Sequence, residues 1–176
     1  STSELLDAKK RNWNDSLIET LGLPRHIFGD IVMPGTVRGK LKKDIAEETG
    51  LGEVEVVAVG SHDTASAVFA VPTTEKASAF LSSGTWSLLG TLVDEPVLTE
   101  EARLGGLTNE GAVGGQIRLL QNITGLWFVQ RLIAEWKARG EDTDYGRIIA
   151  EATESSLRSI VPVDDPQFTN PASMEE

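Results

Sequence analysis

There is no cysteine in the 176 residues, so neither a disulfide framework nor thiolate chemistry is available. Only two histidines occur, His26 and His62, and a zinc centre would need many carboxylates to complete it; no metal site is expected. Basic charge is scarce. Sixteen Lys and Arg face 27 Asp and Glu, a net charge of −11 with the histidines neutral. The deficit is uneven, because residues 1–88 carry 9 basic and 12 acidic side chains and residues 89–176 carry 7 and 15. Neither half has the clustered Lys and Arg that bind phosphate backbones, so a nucleic-acid partner is not expected. No stretch approaches the ~18 consecutive apolar residues of a membrane helix, so no membrane partner is expected either. The polar opening from Ser1 does not read as a signal peptide. Two nucleotide-binding signatures are also missing, GxxxxGK followed by Ser or Thr and GxGxxG. Internal repeats and low-complexity tracts are absent. These absences leave a cytoplasmic enzyme or binding module as the expected class.

What is present is enough for a folded α/β chain. Hydrophobic residues make up 40%, ample for a core and too many for intrinsic disorder. At roughly 100–200 residues per domain, the length fits one domain or parts of two.

Leu6, Trp13, Leu17 and Leu21 fall on one helical face, which predicts an amphipathic helix over 4–21, capped by Ser3 and stopped by Gly22 and Pro24. IVMPGTVRG, residues 31–39, carries Pro-Gly turn chemistry. A short polar helix is expected over 43–49, ended by Gly50 and Gly52. The β-branched run Val54 to Val59 predicts a buried strand, central in a sheet. It delivers Ser61-His62-Asp63-Thr64 onto a helix that Pro72 ends. AFLSS (79–83) and WSLLGTLV (86–93) read as two strands with Gly84-Thr85 at their turn. Residues 94–110 look loop-like, and Gln116 to Leu120 like a strand. Asn122 and Thr124 then precede a helix over 125–138 whose inner face holds Leu126, Val129, Ile133 and Trp136. A last helix is expected near 144–158, before a tail without period. The composition break at 72–78 marks the best boundary.

Three segments carry candidate chemistry. Asp63 stands at the end of a strand, where ligands bind in open α/β sheets, and could accept a proton from a substrate hydroxyl. It also precedes a helical run, and spacing favours helix capping equally. His62 beside it could hydrogen-bond a polyol, although a lone His more often has a structural role. Ser82-Ser83-Gly84-Thr85 can present backbone N–H groups to a phosphate, although most such turns are plain hairpins. Asn122-Ile123-Thr124-Gly125 reads first as a helix cap.

Their order says more than any one of them. VEVVAVGSHDTASAV, then AFLSSGTWSLLG, then LLQNITGLWFVQRLIAEW resemble the rhamnulokinase-like branch of the FGGY carbohydrate kinases. The opening helix with Trp13 and the IVMPGTVRG segment fit the same pattern. The resemblance implies an actin-like ATPase fold, two ribonuclease-H-like domains closing over a cleft with sugar deep inside and ATP across the mouth. Residues 1–72 would be the carboxyl-terminal part of the first, sugar-binding domain, and 73–176 the amino-terminal part of the second, nucleotide-binding domain. It implies Asp63 as the catalytic base, with His62, Thr64 and Asn122 as sugar contacts. Gly84 and Thr85 would meet the ATP phosphates, and Gln130 the nucleotide. The cofactors implied are ATP and Mg²⁺, the metal held mostly through nucleotide and water.

The implied reaction moves the γ-phosphoryl group of ATP to the 1-hydroxyl of L-rhamnulose. L-fuculose or a related ketose is the alternative acceptor. Members of this family run to well over twice this length, so the chain is expected to be an excised middle, inactive alone, with exposed strand edges and interior faces. Two rival readings remain: a non-catalytic actin-like binding module, and an α/β domain in which Asp63 only caps a helix.

Overall fold

The computed structural model describes residues 3–75, 77–163, 165–168 and 171–174. The chain divides into two compact units, Ser1–Phe80 with Gly90–Gln121, and Leu81–Leu89 with Asn122–Glu176.

The first unit opens not with a long helix but with a small hairpin of β1 (Leu6–Asp7) and β2 (Asn12–Trp13), Leu6 opposite Trp13. The Asp7 carboxylate accepts the backbone N–H groups of Lys9 and Lys10 at 3.0 and 2.9 Å, and Arg11 takes a positive φ. That local turn outcompetes the helical spacing of Leu6 and Trp13. Helix α1 (Asp15–Thr20) starts only where the Asn14 side chain accepts from Leu17 N–H at 3.1 Å. It buries Ile18, and Gly22 follows in the left-handed conformation.

β3 (Val37–Lys40) and β4 (Glu55–Val57) form an antiparallel pair, with α2 (Lys43–Thr49) between them in sequence. The Pro34-Gly35 turn that leads into β3 is closed by Thr36 N–H donating to Met33 C=O, with Gly35 at φ 88°. The Val54–Val59 run is therefore extended as expected, but it is neither central nor buried. β4 pairs only with β3 among the described residues, and Val59 is 69% exposed. β-Branching selects the backbone conformation, whereas burial needs a covering layer, and none of the described residues provides one.

Helix α3 (Asp63–Ala70) follows, ending before Pro72. β5 (Ala79–Ser83) and β6 (Trp86–Val93) take the bounds read from sequence. The expected loop at 94–110 is instead structured. Helix α4 (Glu100–Leu104) is capped by Thr99, whose hydroxyl accepts from Ala102 N–H, and β7 (Leu107–Gly111) pairs antiparallel with β8 (Ile117–Thr124). A Thr cap with acidic residues in the first turn suffices for α4, while β7 depends on a partner strand ten residues on. The four strands lie in the order β5-β6-β8-β7.

β8 runs to Thr124, so Asn122 lies on a strand and not at a helix start. Helix α5 (Trp127–Ala138) begins two residues later than expected, and α6 (Tyr145–Glu154), capped by Asp144, stops four residues short of 158. None of the described helices is long and apolar enough to cross a membrane.

Candidate functional site

In the first unit the chain leaves β4, turns through Ser61 at positive φ and enters α3 with Asp63 as its first residue. His62 occupies the cap position and makes no side-chain cap bond. Asp63 is therefore not the N-cap residue. Its carboxylate accepts the Thr64 backbone N–H at 2.7 Å and the Thr64 hydroxyl at 3.3 Å, and its side chain is otherwise 95% exposed. His62 Nε2 stands 3.6 Å from the same carboxylate oxygen, and His62 Nδ1 is buried with no hydrogen-bond partner among the described residues.

The turn is anchored by what lies just after it. Thr64 and Ala65 are buried, and a Cβ on Gly60 would meet Ser66 Oγ at 2.9 Å and Val113 Cγ2 at 3.2 Å. Glycine at 60 thus lets the end of the strand pack close to α3.

The second unit holds the other candidates. Leu126 N–H donates to Gly84 C=O at 3.0 Å and Trp127 N–H to Thr85 C=O at 3.1 Å. The first N–H groups of a helix have no partner within it, and here the turn between β5 and β6 supplies two carbonyls. Gly125 permits the approach: a Cβ there would lie 2.5 Å from Ser87 Oγ and 2.6 Å from Gly84 O. One turn into α5, Gln130 Nε2 donates to Thr85 Oγ1 at 3.1 Å. Gly84, Thr85 and Gln130 are therefore gathered at one place. The Thr85 hydroxyl oxygen accepts that bond, which leaves its own proton to donate outward. Asn122 sits exposed on β8.

Sequence reasoning passed over two residues. Gly125 was part of a quoted motif, and its signal was a glycine directly before a helix, between two chain segments that must touch. Arg118 is the other: a single cation in the apolar strand stretch Ile117 to Leu120, and fully buried. No group of three or more His, Cys, Asp or Glu side chains among the described residues is placed to hold a metal ion.

Residues 1–70 match the model of the FGGY family of carbohydrate kinases, N-terminal domain. Over its whole length it is 44% identical to a rhamnulokinase of Bacteroides thetaiotaomicron and 41% identical to one of Pectobacterium carotovorum. It covers 36% and 34% of those proteins, so the chain spans about a third of the relatives it matches. Among solved structures it resembles a xyloylose kinase from Brucella ovis, with TM-score 0.65 and 18% identity over 88% of this chain and 30% of that one. A xylulose kinase from Lactobacillus acidophilus gives TM-score 0.56 at 19% identity, over 84% and 30%. The fold is the actin-like ATPase fold.

Proposed function

We propose that these residues work within an ATP-dependent carbohydrate kinase of the length of its relatives, phosphorylating the 1-hydroxyl of L-rhamnulose in the cytoplasm. The observation that carries this reading is identity of 36–44% to rhamnulokinases over 99–100% of the chain. The local geometry supports it. Asp63 offers an exposed carboxylate, and Thr85 offers a hydroxyl proton held in place by Gln130. The end of the family match at residue 70 supports a first domain over 1–72 and a second over 73–176.

In this reading the sugar oxygen attacks the γ-phosphorus of ATP, the bond from that phosphorus to the ADP oxygen breaks, and Asp63 takes the hydroxyl proton. Alignment and charge stabilisation are most of what such a transfer asks of a protein. His62, Thr64 and Asn122 orient the sugar. Gly84 leaves space for a phosphate, and the Thr85 hydroxyl donates to it. Mg²⁺ would neutralise phosphate charge when bound, held mostly through nucleotide and water.

The test is ADP release by the kinase carrying this segment, offered L-rhamnulose, L-fuculose, D-xylulose and glycerol in turn. Turnover strongest with L-rhamnulose is expected. Preference for another sugar would keep the reaction and correct the substrate, and no turnover with any would leave only a binding module. The 176 residues alone are expected to be inactive, and ATP-dependent phosphorylation by this chain, free of host kinase, would contradict that.

A further inference from the structure

The tail after Val161 has no hydrophobic period, yet its described residues are fastened to α5 at two points. At the first, the 3₁₀ turn Pro166–Phe168 sets the Phe168 ring edge-on to Phe128, with centroids 5.4 Å apart and planes at 87°. At the second, the half-buried Glu135 carboxylate accepts the Ser173 hydroxyl and the Met174 backbone N–H, each at 2.9 Å. Both points belong to the second unit, as does the Gly84–Thr85 turn.

Phe128 and Glu135 stand seven residues apart on α5, two helical turns, and so share a face. At about 100° per residue Gln130 points to the other side, where its Nε2 donates to Thr85 Oγ1 at 3.1 Å. The helix therefore lies between the tail and the turn. No residue of α5 is fully buried, so a core does not seat it. Its place rests on the two N–H bonds from its start to Gly84 and Thr85, and on what holds the opposite face.

We propose that Glu135 is a positioning residue for the nucleotide site: by tying the tail to α5 it holds the helix against the turn, so that Gln130 reaches the Thr85 hydroxyl. The inference rests on the kinase reading above, in which Thr85 and Gln130 serve ATP. Phe168 on Phe128 is the second anchor of the same strap.

In the kinase carrying this segment, Glu135→Ala is expected to raise KM for ATP by roughly threefold to tenfold and to leave KM for the sugar unchanged. Glu135→Gln keeps an acceptor for the Met174 N–H and an amide that can donate to the Ser173 oxygen, so it stays close to the parent. Because the effect passes through Gln130, adding Glu135→Ala to Gln130→Ala should raise that KM less than about twofold further. A folded Glu135→Ala enzyme with the parent's KM for ATP overturns the proposal, as does an undiminished further rise in the Gln130→Ala background. Should Glu135→Ala not fold, Phe168→Leu decides, and an unchanged KM for ATP overturns it. A parent enzyme without turnover removes the kinase reading. The strap is then tested by amide exchange at Leu126 and Trp127, expected to be faster in Glu135→Ala, and unchanged exchange overturns it.

Discussion

At the first turn of α3 the candidate base is anchored from beneath by buried side chains, whereas at the Gly84–Thr85 turn backbone is tied directly to backbone. The Asp63 carboxylate projects into solvent above buried Thr64 and Ala65. The Thr85 turn receives two N–H groups from the start of α5 and tolerates no Cβ at Gly125. The first arrangement suits a group that must meet substrate and exchange a proton. The second suits a group whose position matters and whose protonation does not change. Function at Asp63 should therefore be separable from stability, while around Thr85 the two should be entangled.

The largest effect tests the first half of that contrast. Asp63→Asn in the kinase carrying this segment should lower kcat by roughly 10²–10⁴, the usual contribution of a general base, with little change in melting temperature. A large fall in melting temperature with kcat intact would make Asp63 a structural residue of the first turn of α3 instead. Gly125→Ala tests the other half. The added methyl has no room against Ser87 and Gly84, and equilibrium denaturation should show a loss of about 1–3 kcal/mol.

Thr85→Val keeps the shape and removes the hydroxyl. Steady-state kinetics should show KM for ATP rising by about tenfold, near 1.4 kcal/mol, with KM for the sugar unchanged. The smallest effect is a control outside both turns. The Arg103 guanidinium holds Glu100 below the ordinary carboxylate pKa, and the backbone N–H of Glu101 with the Thr99 hydroxyl does the same for Glu101. Depressed carboxylates support the folded form fully above their unfolded pKa and lose that support as pH falls through the folded one. The amides of α4 should thus exchange faster only below about pH 4.5.

Much of the fold was legible wherever a few neighbouring residues decide the outcome. β5 and β6 have the expected bounds, α2 ends at a left-handed Gly50, and α3 ends before Pro72. The opening helix over 4–21 failed because periodicity at four positions said nothing of the Asp7 turn, which claims the N–H groups of Lys9 and Lys10. The segment 94–110 hid a capped helix behind its glycines, and β7 is a strand only because β8 lies beside it. Asn122 looked like a cap since the sequence around it cannot show that β8 continues to Thr124.

The sequence by itself determined the turns, caps and breaks, and its ordered motifs carried the family resemblance. Those depend on hydrogen bonds and backbone preferences that span only a few residues. Only the tertiary structure decided that Val54–Val59 lies open, that Gly125 is pressed against Gly84 and Ser87, and that Arg118 is sealed from water opposite Glu110. Burial and close approach belong to pairs of segments distant in the chain, and a residue's type does not name its partner.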